Sequence, residues 1–461
     1  MTKKDKQELR QQIACEWLHE NYLQFGNLRH DVVADRLQVR CAHSLGEEAI
    51  GRLGERQELW RNLTDKDINT MVCQCVAESG VNISVTEMWT ALKSDMVPAV
   101  HPLRAWLQEL QPWTPDRPDW IDFVARQVHV KTNDTEKYTY QQLETSNKNN
   151  SLPLGCVVPQ RNVVENNVVD VVVNNNPADT LWRACFKKWF VAMVASWMHD
   201  EVVNHTVLVL VGRQGIYKTT WLDHLIPPAL RPYSSKLPLS GQISKDDRLR
   251  LCENGMLNID ELDAICGREM NIMKSLLTST DINERAAYGR LKERKVRLAS
   301  FCASTNKREF LTDITGNRRW LPFEVESIQN PFYTTLPYEM MYAQAVYLVQ
   351  NDFNYWFDMD EIEVMEQHNE EFRAQENEEQ LLPILFDIPA EGKGEFMTTA
   401  EISERLVTYG NIKKPMKTRQ LGMLMAKKGF QKKQVFLSGT NVRGWMVYNR
   451  QIDEIKLAKN I

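Results

Sequence analysis

Several features are missing from this 461-residue chain. There is no apolar run long enough to cross a membrane. The longest, Trp189 to Met198, spans about ten residues and stops at His199-Asp200-Glu201, whereas a spanning helix needs about 20. No apolar stretch follows the charged start Met1-Thr-Lys-Lys-Asp-Lys6, so a secretory signal is not expected. The nine cysteines, at 15, 41, 73, 75, 156, 185, 252, 266 and 302, suggest reduced thiols in a cytoplasm, not a disulfide scaffold. Cys41-Ala-His43 and Cys73-Gln-Cys75 lack a second pair at zinc-finger spacing. No His-Glu metalloprotease run and no Gly-x-Ser-x-Gly elbow occurs. An excess of one charge is also missing: the net charge is −5, which by itself gives no hint of a nucleic-acid partner. With 43% apolar and 25% charged residues, fibrous and fully disordered chains are excluded.

The length suggests about three domains. Residues 1–115 read as an N-terminal mixed α/β domain. It has a helical period over Gln7–Leu23, a strand pair over Asp31–Arg40, a helix cap at Thr64 with an acid at Asp67, and a helix after His101-Pro102. Residues 116–180 are a connecting segment whose stretch 147–176 holds nine Asn and nine Val. It reads as an inserted loop or an exposed hairpin. Residues 181–345 open with an amphipathic helix, Leu181–Met198. Three β-prone apolar runs come after it, Thr206–Val211, Gly255–Ile259 and Val296–Ala303, separated by helical stretches. Strands buried on both faces and alternating with helices predict a three-layer α/β/α core with a parallel sheet. An acidic helical connector (346–390) and a small winged helix (391–461) complete the reading.

The loop after the first predicted strand reads Gly212-Arg213-Gln214-Gly215-Ile216-Tyr217-Lys218-Thr219-Thr220. Phosphate binding needs backbone N–H groups that curl round the anion, a lysine for the β and γ oxygens, and a hydroxyl for Mg²⁺. Gly212 and Gly215 supply backbone freedom, Lys218 the charge and Thr219 the hydroxyl. Tyr217 stands where the usual pattern has glycine, so it either crowds the loop or stacks on something outside it. Taken alone, the segment could be a glycine-containing turn. Three motifs further along the chain add weight to the phosphate loop. Asp260-Glu261 ends the second strand, where a carboxylate pair needs a cation or water to handle. Ser304-Thr305-Asn306 ends the third strand, and Arg318-Arg319 offers guanidinium groups for transition-state charge. These elements, in this order, predict a domain that binds a nucleoside triphosphate with Mg²⁺.

The runs Gly212–Lys218, Asn258-Ile-Asp-Glu-Leu-Asp-Ala264, Arg285-Ala-Ala-Tyr-Gly-Arg290, Ser304-Thr-Asn306 and Thr315-Gly-Asn-Arg-Arg-Trp320 together resemble the virulence-associated protein E family. That family is similar to the superfamily 3 helicases, AAA+ ATPases of phages and mobile elements. The segment Val100–Leu110 resembles the stretch before the ATPase core. The resemblance covers roughly residues 100 to 330. It implies a DNA-dependent ATP hydrolase that works as a ring, a hexamer, in replication of a mobile element. By the same resemblance, Lys218 and Thr219 bind phosphate and Mg²⁺, Asp260 holds the metal, and Glu261 is the catalytic acid. Asn306 would be the sensor, with Arg318 and Arg319 as candidate arginine fingers.

Between Asp260 and Asn306 lie Arg285, Arg290, Lys292, Arg294, Lys295 and Arg297. In related helicases a hairpin here projects into the pore, so these residues are candidate contacts to single-stranded DNA. A solvated charged face is the alternative. Residues 411–450 hold ten Lys or Arg and no Asp or Glu, next to ten acids and one base in 357–380. Lys413, Lys414, Lys417, Arg419, Lys427, Lys428, Lys432 and Lys433 bracket the second helix of the predicted winged helix. They are candidates for duplex DNA, with a basic protein-docking module as the alternative. Two other functions stay open: a nucleotide-gated DNA-binding initiator or regulator that does not unwind, and an element-encoded defence ATPase.

Overall fold

The computed structural model describes residues 2–40, 60–131, 177–237, 244–260, 262, 267–284, 293–311, 317–374, 377–390, 394–413, 415–437 and 439–450. The Asn/Val-rich stretch, Glu261, Arg285, Arg290, Lys292 and Lys414 therefore lie outside the described residues. The chain forms two compact units, one of Met1–Asn306 with Trp320–Ile362, the other of Lys307–Arg319 with Glu363–Ile461.

The first unit begins with the helix Lys3–Leu18, started by a Thr2–Asp5 capping box. Strands β1 (Leu28–Asp31) and β2 (Arg36–Arg40) pair antiparallel, so the strand pair expected over Asp31–Arg40 begins earlier, at Leu28. β3 (Trp60–Asn62) adds beside β2, and β4 (Ala99–Val100) runs parallel to β1. The expected cap at Thr64 is present: its hydroxyl accepts the Asp67 N–H, and the Asp67 carboxylate accepts the Thr64 N–H. His101 caps the helix Pro102–Gln108, with Nδ1 accepting the Arg104 N–H at 3.3 Å. Burial, then the Arg104 charge, pushes His101 down to about 4, so the ring is neutral and able to accept. The buried Asp31 ties this layer to the centre of the unit. It accepts the Tyr233 hydroxyl at 2.7 Å and the Val33 and Ala34 N–H groups at 2.9 and 3.1 Å.

The centre is a six-stranded sheet. After the edge strand β5 (Val128–Val130) come β6 (Val207–Val211), β7 (Ser234–Lys236) and β8 (Met256–Ile259). A two-stranded antiparallel hairpin is next, β9 (Asp281–Glu284) with β10 (Glu293–Val296). The last two strands of the large sheet are β11 (Ser300–Thr305) and β12 (Trp320–Ile328), and the spatial order is β5-β12-β6-β11-β8-β7. All neighbours from β12 to β7 run parallel; β5 pairs antiparallel with β12. Every residue of β6 and β8 is buried, the condition that makes such strands read as continuous apolar runs.

Two expectations change. The helix Pro177–Met198 is not amphipathic: nearly all of Leu181–Trp197 is buried. Its indole N–H groups would be orphaned there, and each finds a carbonyl: Trp182 on Ala125, Trp189 on Phe301, Trp197 on Gly255. The expected strand Val296–Ala303 is broken in two. Arg297, fully buried, turns its guanidinium onto the carbonyls of Asn204, Leu276, Leu277 and Ala299. Satisfying that buried charge interrupts the ladder, so β10 belongs to the hairpin and β11 to the sheet. Arg297 is thus a structural residue and not a contact for DNA.

In the second unit the helices Asn377–Leu385, Thr399–Gly410 and Thr418–Lys427 pack with β13 (Phe386–Asp387), β14 (Glu395–Thr398), β15 (Gln431–Leu437) and β16 (Thr440–Asn449). β16 pairs with all three other strands. Its core holds Leu382, Ile402, Leu406, Leu421, Leu424 and Trp445. Among the described residues no helix is long and apolar enough to cross a membrane.

Candidate active site

The loop from β6 into the helix Lys218–His224 has the shape its glycines suggested. A Cβ on Gly212 would lie 2.8 Å from the Val325 carbonyl oxygen, so β12 and the loop approach as closely as they do because no side chain stands between them. Gly215 turns with φ +85°. Tyr217 is left-handed as well, φ +67° and ψ 16°, a conformation that costs a side chain about 1–2 kcal/mol. That is why glycine is usual here. The ring does not fold into the loop. It meets Phe332 edge-to-face at 6.4 Å, and its hydroxyl accepts from Asn330 at 3.4 Å. Arg213, Gln214 and Gly215 are exposed, Ile216 is buried, and Thr220 is half-buried.

Lys218 is buried, and its ammonium donates to the carbonyls of Gly212 and Arg213 at 2.7 Å each and to Asn306 Oδ1 at 3.0 Å. The loop lysine and the polar residue at the tip of β11 are therefore joined. Beside them lies an oxygen cluster. Thr219 Oγ1 is 3.1 Å from Asp260 Oδ1 and 2.8 Å from Ser304 Oγ, which itself donates to Asp260 at 3.2 Å. Burial would raise the Asp260 carboxyl, but hydrogen bonds from Lys236, Thr219 and Ser304 outweigh it and hold the group below the usual carboxylate range. An ionised carboxylate beside two hydroxyls is a hard-oxygen set that suits Mg²⁺. The sequence reading missed Lys236. It sits on β7, a short polar strand with no apolar period to reveal it, and donates to Asp260 Oδ2 at 2.9 Å. Asn258, inside β8, donates to Asp223 at 2.7 Å and clamps the loop's helix to the strand that carries Asp260.

The remaining candidates fall elsewhere. Arg318 and Arg319 lie on a 3₁₀ turn in the second unit, Arg318 exposed and Arg319 half-buried. Burial, then the neighbouring Arg318 charge, lowers the Arg319 guanidinium. On the hairpin arm, exposed Arg294 pairs with Asp281 at 2.7 Å, and Lys295 lies 3.6 Å from Asp35. In the second unit Lys413, Lys417, Arg419 and Lys433 are exposed, and Lys432 sits over the Trp445 ring at 5.2 Å. Lys427 is paired with Glu370 at 2.5 Å, and Lys428 lies 3.8 Å from Glu379. Acidic and basic segments thus partly neutralise each other inside one unit, which sequence arithmetic could only sum.

Comparison with known proteins places part of this chain. Residues 158–374 match the family model of the virulence-associated protein E-like domain. No curated protein matches the chain. Among solved structures, an apo structure of the NrS-1 C-terminal region (305–718) is 11% identical and covers 94% of this chain and 99% of its own, with a TM-score of 0.40. An A-form apo structure of the same region has the same identity and coverage and a TM-score of 0.38. Likeness at that level carries no argument about this chain. The family match covers β6, the loop, Asp260, Asn306 and both arginines.

Proposed function

We propose that this chain is an ATP-driven DNA helicase or translocase, a ring-shaped homo-oligomer, hexameric as the resemblance implies, serving replication of a phage or mobile element. The P-loop AAA+ reading of the core is supported above all by one observation: the Lys218–Asn306 bond and the Thr219–Asp260–Ser304 cluster lie side by side. The strand order β12-β6-β11-β8-β7 sets the tips of β6, β8 and β11 next to one another, which is where a doubly wound sheet gathers ligand groups. In this reading Lys218 exchanges its loop carbonyls for the β and γ phosphate oxygens. Thr219 and Asp260 would hold Mg²⁺, which would supply positive charge against the phosphates. Glu261, next in sequence to Asp260, polarises the attacking water, Asn306 positions it, and Arg318 or Arg319 meets charge at a neighbouring site. Single-stranded DNA is assigned to the hairpin, and duplex to the helices and β15–β16 hairpin of the second unit, read as a winged helix. A Tyr217 ring crowding the loop would favour a binder without fast turnover; the ring lies against Phe332 instead, which removes that argument.

The test is ATP hydrolysis with and without single-stranded DNA. Lys218→Ala and Glu261→Gln should each abolish the DNA-stimulated rate. A rate that survives both changes removes this reading, and tight DNA binding without hydrolysis or strand separation selects the regulator instead.

A further inference from the structure

Phosphate binding does not account for two features beside the loop. The first is Tyr217, a large side chain held in left-handed backbone directly before Lys218. Strain of that kind persists where the surroundings over-determine it, and it concentrates at ligand sites. The second is exposed aromatic surface. Phe332 is 70% exposed and Tyr217 38% exposed, although burying such rings is favourable.

The rings are nonetheless held in place. One side chain, Asn330, links the two residues: its Oδ1 accepts the Phe332 backbone N–H at 3.0 Å, and its amide donates to the Tyr217 hydroxyl at 3.4 Å. His224 meets Phe332 edge-to-face at 5.7 Å. It is fixed in turn, with Nδ1 2.7 Å from the Thr220 carbonyl and its own carbonyl accepting the Tyr338 hydroxyl at 2.7 Å. The result is two rings set nearly perpendicular, at 80°, each partly in solvent, beside the loop that carries Lys218 and Thr219.

We propose that the exposed Phe332 ring, with the Tyr217 ring set nearly perpendicular beside it, forms a shelf on which the base of the nucleoside triphosphate stacks while its phosphates lie in the Gly212–Lys218 loop. This rests on the phosphate-loop reading and adds to it the group that recognises the base. The base is the flat apolar part of such a ligand, and stacking on an aromatic side chain needs no hydrogen-bond code. Asn330 is a positioning residue that ties the Tyr217 hydroxyl to the Phe332 backbone.

The experiment compares binding of Mg²⁺-ATP and Mg²⁺ with inorganic triphosphate, which lacks a base, to the full chain by calorimetry. Phe332→Ala should weaken ATP about ten-fold and leave triphosphate within about two-fold; Phe332→Trp, which keeps a flat ring, should recover the loss. Phe332 is mostly in solvent, so the variants keep the fold, which circular dichroism verifies. Unchanged ATP affinity in Phe332→Ala, with triphosphate still bound, overturns the shelf and leaves the phosphate loop standing. Equal weakening of both ligands also overturns it, because the change then acts on the loop. If the unaltered chain binds neither ligand, the phosphate-loop reading fails and the shelf falls with it.

Discussion

The ammonium of Lys236 lies 2.9 Å from Oδ2 of Asp260, while Thr219 and Ser304 hold Oδ1 of the same carboxylate. The metal-binding acid of the proposed site is therefore pinned from both oxygens. Its cation partner comes from a strand with no sequence signature of its own.

That pair carries the first prediction. The Asp260 carboxyl sits below its ordinary range, so it stays ionised as pH falls past about 3.9. The stability this adds is present above that value and is lost as pH falls through the lower folded-state value. Lys236→Met removes one of the bonds that depress it. The acid limb of the ATPase pH profile should move to higher pH; an unmoved limb separates Lys236 from the site.

Tyr217 yields a comparison between two substitutions. Both Tyr217→Gly and Tyr217→Ala lose the contact with Phe332, but glycine alone is at ease at φ +67°. The glycine variant should be more stable than the alanine variant by about 1 kcal/mol, read from urea unfolding midpoints. The reverse order would show that the loop relaxes out of the left-handed turn.

His101 gives a pH dependence of stability. Its neutral ring caps the helix Pro102–Gln108, and the folded chain holds it at about 4 against about 6.5 unfolded. The unfolded chain binds the proton first, so stability should fall as pH drops from about 6.5 towards 4. His101→Asn keeps a capping side chain without a titrating group. It should flatten that part of the pH–stability curve, as thermal unfolding across the window would show.

The basic face of the second unit divides into two sets. Lys413→Ala, Lys417→Ala, Arg419→Ala and Lys433→Ala should each weaken duplex binding and lower the salt slope by about one. Lys427→Ala and Lys428→Ala should change it less, because Glu370 and Glu379 already hold those ammonium groups. Equal effects across all six would show that DNA displaces the acids.

Local signals carried much of the architecture. β6 and β8 are buried on both faces, Thr64 and Thr398 are capping boxes, and Gly212 and Gly215 mark the turn. The turn from β6 into the helix Lys218–His224 was legible because backbone of positive φ, as at Gly215, limits the residues that can build it. β12 was harder to see, since Pro322 and Glu324 interrupt its pattern; the strand is held by pairing with β6 and β5. The buried helix Pro177–Met198 passed for amphipathic because its tryptophans and Lys188 carry polar atoms. Only packing reveals that each indole N–H meets a carbonyl and that Lys188 meets Glu361.

The sequence by itself determined which residues could handle phosphate, metal and DNA, because chemistry of that kind depends on side-chain type and local spacing. Tertiary structure decided which of them meet: Lys218 with Asn306, Asp260 with Lys236, Tyr217 with Phe332. It also took Arg297 out of the basic set, by burying it among carbonyls. Such pairings join residues far apart in the chain, and the strand order of the sheet, not sequence separation, sets the distances between them.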